Sequence, residues 1–336
     1  MRAAFYDAEQ HRVSIETIAD PRPGPDELLV RVCRCGVCGS DVSMTSRNGT
    51  FNYASGRFGH EYAGEVIEVG RNVRTHKRGD RIAAIPSVGC GTCEICKRGN
   101  PLLCSAQSSA MFGFGELAVI PPKVAIHLPD SLSFADGAMV EPIACSLHAF
   151  RLAGLERGAR VLVIGAGSMA LGAIYWARAL GAAKIAVLSR SSHRRDTAMA
   201  MGADAVLGFD ADDQARIIEV LGGSPHIVAE CVGKAGMLNL AADHVCPGGT
   251  VVSMGLCMQA EPIVPIRFGF REVRLLFPIG YTADEFAATA RSFDAGRVSP
   301  ENLLSDVISL DELPTRLEMM RTGGSGAKIQ VDLLRS

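Results

Sequence analysis

Hydrophobic residues change their spacing along this chain, and the change comes near residue 150. Before it, short β-branched runs (LLVRV at 28–32, YAGEVIEVG at 62–70, RIAAI at 81–85) stand between Gly and Pro residues. They predict strands joined by loops, with few helix signals. From Arg160 onward strand-like and helix-like segments alternate: RVLVIG, SMALGAIYWARALG, KIAVLS, HRRDTAMAMG, AVLG, DDQARIIEVLG, HIVAEC, MLNLAADHV, GTVVSM and VRLLF. Six short apolar strands with helices between most of them predict an α/β architecture with a doubly wound parallel sheet. Past Phe277 the texture is mixed again, with helices over DEFAATARSF and LDELPTRLEMM and a closing strand AKIQVDL.

Within the second region, VLVIGAGSMALG follows a strand and opens a helix. Gly165 permits a tight turn, Gly167 lets backbone approach a pyrophosphate, and Ala170 is small enough for close helix packing. The helix N-terminus, with Ser168 and Met169, then faces the phosphates. A carboxylate usually stands ~20 residues further on, where it binds the adenosine ribose and repels a 2′-phosphate. Here LSRSSHRR puts Ser189 in that place, followed by Arg190, Arg194 and Arg195. Missing acid and added guanidinium groups predict NADP(H) over NAD(H), with Ser189, Arg190 and Arg194 at the phosphate and Arg195 as a helper. The plain alternative is a solvated basic turn.

Composition narrows the classes. At 336 residues and 48% hydrophobic, the chain can build two domains, each with its own core. A net charge of -2 gives no pull toward polyanions, so neither nucleic acid nor a DNA-reading finger is expected. The start, MRAAFYDAEQHRV, lacks the apolar run of a signal peptide. The longest uncharged stretch, Val161 to Ala177, carries three glycines and falls short of the ~20 apolar residues of a spanning helix. No membrane segment and a cytosolic, reducing location are therefore expected.

That location bears on CGTCEICKRGNPLLC. Cys90, Cys93, Cys96 and Cys104, separated by two, two and seven residues, can wrap four thiolates around a closed tetrahedral centre. Such a site is structural, and iron-sulfur runs have other spacings. A second constellation is dispersed: Cys38 in CGVCGSD, His60 and Glu61 in GHEYAGEV, and Glu141 in EPIACSLHA. One thiolate, one imidazole and a carboxylate, with a place left for water or substrate, is the composition of a catalytic zinc site. The remaining cysteines, Cys33, Cys35, Cys145, Cys231, Cys246 and Cys257, show no pattern and are expected as small core or loop residues.

GVCGSD, GHEYAGEVIEVG, the cysteine run, EPIACSLHAF and VLVIGAG occur in the order found in medium-chain zinc-dependent alcohol dehydrogenases, and the chain most resembles their sorbitol or polyol branch. The resemblance covers essentially the whole chain. It implies a GroES-like catalytic domain over 1–146, completed by 282–336, a Rossmann domain over 147–281, and an active site in the cleft between them. It implies Cys38, His60 and Glu141 as catalytic zinc ligands, with Glu61 a neighbour that exchanges with water on the metal. It also implies Asp41 as the carboxylate that orients the ligand histidine, Ser40 as the hydroxyl that meets the substrate alcohol, and Lys328 as the cation facing Glu61. Val232, Met254, Gly255, Leu256 and Tyr281 resemble nicotinamide-side contacts. A homodimer or homotetramer acting on a small alcohol or ketone, with two zinc ions per chain, completes the expectation.

Departures from that pattern also carry information. Ser43 replaces the relay histidine of several alcohol dehydrogenases, which leaves the proton path from Ser40 open, and His148 is not expected to substitute. Gly280 falls where polyol dehydrogenases tend to carry an arginine, which weakens the case for sugar alcohols. Met44, Phe51, Tyr53, Phe112 and Phe114 either line an apolar pocket or pack a small β domain. Two rival classes are a zinc-free quinone-type reductase of the same superfamily, which should lack Cys38, His60 and Glu141, and a non-catalytic dinucleotide-binding module.

Overall fold

The run LLVRVCRCGV forms a ten-residue strand, Leu28–Val37, at the centre of the first of two units in the computed structural model. The structure describes residues 1–47, 53–190, 193–209, 213–296, 300–322 and 328–335. The first unit consists of Met1–Glu141, Tyr281–Gly296 and Leu304–Ser336. The second consists of Pro142–Gly280 with the short 3-10 turn Pro300–Leu303.

In the first unit a seven-stranded sheet runs Ala125–His127, Arg81–Ala84, Glu61–Val69, Leu28–Val37, Lys328–Asp332, Leu304–Ile308, with Leu117–Ile120 also paired to the central strand. One edge of Leu28–Val37 pairs Glu61–Val69 along its length. The other edge is shared, its first half pairing Leu117–Ile120 and its second half Lys328–Asp332. Register shifts between Leu29 and Val30 and between Val32 and Arg34 bend the strand. The result that matters for function is at its far end, where Gly36 has Glu61 on one side and Gln330 on the other. A smaller sheet, Arg12–Thr17, Arg2–Asp7 and Gly56–Arg57, belongs to the same unit.

The expectation of few helices before residue 150 misses Phe134–Ala153, at twenty residues the longest helix among the described residues. Asp136 to Ala144 are all buried, so the segment is enclosed on every side and shows no amphipathic stripe. Pro142 within it has no N–H for the Ala138 carbonyl, which obscures the helix further. Close packing depends on Gly137, where a Cβ would come within 2.6 Å of Ala63 Cβ on the strand that begins with Glu61.

The second unit is the expected doubly wound sheet. Its six parallel strands lie in the order Ala205–Leu207, Lys184–Leu188, Arg160–Ile164, Ile227–Glu230, Thr250–Ser253, Arg274–Leu276. Strands covered on both faces read as continuous apolar runs, and Leu162, Ile164, Ala186, Leu188, Val228 and Val251 are buried in one core. Successive strands are added first on one side of Arg160–Ile164 and then on the other. Ligands of such sheets bind beyond the strand C-termini at the point of reversal, here between Ile164 and Glu230.

Candidate active site

Val37 passes the chain to a short helix, Gly39–Met44, with Cys38 as its N-cap. Cys38 Sγ accepts from Ser40 N at 3.5 Å, while Asp41 Oδ2 accepts from Cys38 N at 2.9 Å. This reciprocal box fixes Cys38, Ser40 and Asp41 within one turn. His60 Nε2 lies 3.5 Å from Ser40 Oγ, and Nδ1 lies 3.3 Å from Asp41 Oδ1. Burial pushes the His60 pKa down, but the Asp41 carboxylate and the Cys38 sulfur more than offset it and hold the imidazole well above its ordinary value. Tyr53 donates to Asp41 Oδ1 at 3.1 Å, Phe114 packs edge-on against Phe58, and Phe112 lies under the Arg57 guanidinium. All three residues thus have packing or bonding roles. Phe51 lies outside the described residues.

Glu61 is fully buried, and its Oε1 accepts from Lys328 Nζ at 2.6 Å; the ammonium also donates to Val37 O at 3.3 Å. A Cβ at position 36 would collide with Glu61 Oε2, so the carboxylate occupies the space that Gly36 leaves open. That second oxygen, Oε2, is buried without a hydrogen-bond partner. Glu141 accepts from Tyr281 Oη at 2.9 Å. Burial pushes its carboxyl up to about 7, although His60 pulls it the other way. Tyr281, expected beside a nicotinamide, belongs to the first unit and donates this bond.

Cys38, His60 and Glu61 each offer one ligand atom, and the three atoms lie within 4.8 Å of one another. Glu141, expected as the third ligand, is not in this group. A thiol, an imidazole and a carboxylate gathered in a partly buried cluster form a borderline donor set suited to a divalent zinc ion.

The cysteine lobe offers a metric test. Zinc-sulfur bonds of about 2.3 Å place tetrahedral sulfurs about 3.8 Å apart; Cys90 and Cys96 are 3.9 Å apart and Cys93 and Cys104 3.8 Å. The N–H groups of Cys90, Cys93 and Cys96 point at the sulfurs of Cys104, Cys90 and Cys93 at 3.4 to 3.5 Å. The Thr92 hydroxyl and the N–H groups of Thr92 and Cys93 hold the Cys90 thiol down at about 5, favouring thiolate. At Gly89 a Cβ would stand 2.6 Å from Cys96 Sγ. Cys33 and Cys35 are buried, the other unassigned cysteines are partly so, and no disulfide joins any cysteine among the described residues.

In the second unit, Gly165 has φ +109°, and Gly167 is the N-cap of helix Ser168–Ala179. Ala170 is fully buried, as close helix packing requires. Ser168 and Met169 form the first turn. Val232 reaches the same place from the adjacent strand, since a Cβ at Gly165 would sit 3.1 Å from its Cγ2. Met254, Gly255 and Leu256 follow the next strand, with Met254 buried and Leu256 exposed. Ser189 follows the strand Lys184–Leu188 and is buried. Arg194 Nη1 donates to Ala166 O at 3.0 Å, which brings its guanidinium to the glycine turn. Arg190 lies over the Phe209 ring at 5.5 Å. Arg195 instead donates to Val206 O at 2.8 Å, a bond that ties its helix to the neighbouring strand.

Residues that sequence reasoning missed include Gly36 and Glu230. Glu230 ends the strand Ile227–Glu230, and its buried carboxylate has no local motif to announce it.

Comparison with known proteins agrees with this geometry. Residues 24–130 match the alcohol dehydrogenase GroES-like domain, and residues 168–295 match the zinc-binding dehydrogenase family. Sorbitol dehydrogenase of Gallus gallus is 33% identical over 75% of this chain and 75% of its own. A protein described as a zinc-binding dehydrogenase from Sinorhizobium meliloti, bound to NADP, superposes with a TM-score of 0.87 at 29% identity over 98% of each chain. The 2R,3R-butanediol dehydrogenase of Bacillus subtilis superposes with a TM-score of 0.88 at 28% identity, covering 98% of this chain and 99% of that one. Fold, glycine turn and both cysteine-containing clusters thus lead to one assignment: the chain belongs to the medium-chain zinc-dependent alcohol dehydrogenases, NAD(P)-dependent alcohol oxidoreductases, and is most like their sorbitol and polyol branch.

Proposed function

We propose that the chain interconverts a secondary alcohol or polyol and its ketone, using NADP(H) and two zinc ions, one catalytic and one structural. The observation that carries the reading is the partly buried Cys38–His60–Glu61 group, in which Glu61 Oε2 has no hydrogen-bond partner. Cys38 and His60 would hold the catalytic zinc with carboxylates from Glu141 and Glu61, of which Glu61 is the one already gathered with them. Cys90, Cys93, Cys96 and Cys104 would hold the structural ion. When bound, zinc supplies Lewis acidity and the nicotinamide supplies or accepts hydride.

The chain's own residues do the rest. Asp41 keeps the His60 ring oriented. Ser40 Oγ, 3.5 Å from His60 Nε2, is the hydroxyl that would hydrogen-bond the substrate alcohol. Lys328 holds the Glu61 carboxylate, and Tyr281 holds that of Glu141. Gly165, Gly167, Ser168 and Met169 receive the pyrophosphate, while Ser189, Arg190 and Arg194 receive the 2′-phosphate. Two charged contacts of roughly 1.5 to 3 kcal/mol each would favour NADP about a hundredfold or more.

The substrate pair follows from relatives named for sorbitol and butanediol, both of which carry secondary hydroxyls. A cytosolic homo-oligomer completes the proposal. Its test is zinc content per chain together with a reductase screen of ketoses, diketones and aryl ketones against each nicotinamide cofactor. Two zinc ions and ketone reduction with NADPH are expected. Fewer ions, or activity confined to α,β-unsaturated carbonyls, would overturn it.

A further inference from the structure

Glu230 is the last residue of the strand Ile227–Glu230 and is 1% exposed. Its Oε1 accepts from Val232 N at 2.6 Å and from Gly233 N at 2.8 Å. Its backbone carbonyl accepts from Met254 N at 2.7 Å and Gly255 N at 2.9 Å. One residue therefore ties together two turns, the one leaving its own strand and the one leaving the neighbouring strand Thr250–Ser253. The turns touch. A Cβ at Gly255 would collide with Gly233 N, and a Cβ at Gly233, where φ is +68°, would stand 2.8 Å from Leu256 N.

A buried carboxyl is costly, and among the described residues none forms an ion pair with it. Burial pushes the Glu230 carboxyl above its ordinary range, while the N–H groups of Gly233 and Val232 pull it back. Two N–H donors converging on a single oxygen account for the residue type, because charge-assisted bonds to a carboxylate are about twice as strong as neutral ones. The clasped turns stand where the sheet reverses, and Val232 packs against Gly165 of the glycine turn.

We infer that the Glu230 side chain is a positioning group for the nicotinamide end of the cofactor: its carboxylate fixes the Val232–Gly233 turn, against which the Met254–Leu256 turn, bonded by the Glu230 backbone carbonyl, is packed. The inference rests on the nicotinamide reading of this unit given above. It separates the two ends of the cofactor: loss of the clasp disturbs the ring side and leaves the adenosine side, held near Ser189 and Arg194, intact.

The test measures dissociation constants of NADPH and of adenosine 2′,5′-bisphosphate, which lacks the nicotinamide, for wild type, Glu230→Ala and Glu230→Gln. Circular dichroism and thermal melts of the variants accompany the titrations. Expected is a rise of about tenfold or more in the NADPH constant for Glu230→Ala, from two lost bonds, with the bisphosphate constant unchanged. The kcat of Glu230→Ala should fall as well. Glu230→Gln keeps an acceptor oxygen and should recover NADPH binding to within about threefold of wild type. Equal weakening of both ligands, weakening of neither, or failure of Glu230→Gln to recover binding would overturn the positioning role. If Glu230→Ala fails to fold, the same comparison on Glu230→Gln and Glu230→Asp decides, since the shorter Asp cannot reach both N–H groups. A wild type that binds NADH in place of NADPH moves the comparison to NADH and adenosine 5′-diphosphate, and a wild type that binds neither dinucleotide fails the underlying reading itself and the inference with it.

Discussion

Lys328 Nζ and Glu61 Oε1 form an ion pair of 2.6 Å in which the side chains are 2% and 0% exposed. A buried pair contributes little net stability compared with a well-packed apolar one, but removing one partner strands the other, at about 3–5 kcal/mol. Lys328→Met should therefore lower unfolding stability by about that amount, and Lys328→Met with Glu61→Gln should recover most of it. Urea unfolding of the two single variants and the double variant checks this as a thermodynamic cycle. Additive losses would show that the pair does not act as a unit.

The two cysteine-containing clusters should fail in different ways. A closed four-thiolate site contributes to folding, while a site with an open position serves chemistry. Cys96→Ser should lower the melting temperature by several degrees and remove one zinc per chain. Cys38→Ser should abolish turnover with little change in melting. Equal melting losses with activity retained in Cys38→Ser would contradict the assignment of roles.

Arg194 and Arg195 are neighbours in sequence with different partners, Ala166 O and Val206 O. Arg194→Ala should reduce the NADPH over NADH preference in kcat/KM by about tenfold, one charged contact's worth. Arg195→Ala should leave that ratio within about twofold and instead lower the melting temperature. Steady-state kinetics with both cofactors and a thermal melt separate the two. A larger shift of preference in Arg195→Ala would reverse the assignment.

His226 gives the second unit a pH dependence. Its Nδ1 accepts from Arg160 N at 3.0 Å, which requires that nitrogen to be unprotonated. Burial and the Arg160 guanidinium push its pKa below the ordinary value. With a depressed folded pKa, the unfolded chain takes up the proton first. The stabilising contribution is therefore complete above about 6.5, the unfolded value, and is lost as pH falls through the folded value. Urea midpoints should decline below pH of about 6.5, and His226→Asn, which can still accept but does not titrate, should decline less steeply. Identical slopes for both proteins would rule out this contribution.

Much of the architecture is legible in the residue order, for identifiable reasons. The six strands of the second unit stand out because burial on both faces forces continuous apolar runs such as VLVI and IAVL. Cys90 to Cys104 can be read from spacing alone, since four sulfurs within one loop have few other uses. Cys38 stands 22 residues before the adjacent pair His60 and Glu61, so composition only suggests the group and family resemblance is needed to single it out. What stays hidden has its own physical causes. Phe134–Ala153 has no polar face to set a period, and Tyr281 pairs with Glu141 across 140 positions. The Arg195 guanidinium bonds the Val206 carbonyl of the neighbouring strand, and Glu230 folds back on its own turn. Rotamer and tertiary contact decide these, and a one-dimensional pattern does not encode either.

The shared edge of Leu28–Val37 also sets an order of events during synthesis. Its second half is completed by Lys328–Asp332, and Lys328 follows Glu61 by 267 positions. At ribosomal speeds of about 5–20 residues per second, the carboxylate leaves the ribosome roughly 13 to 53 s before its counter-charge. A nascent chain cannot close the sheet over a charged Glu61 in that interval without stranding it. The Glu61 end of the first unit should thus be a late product of folding, completed only after the residues of the intervening parallel sheet have been synthesised.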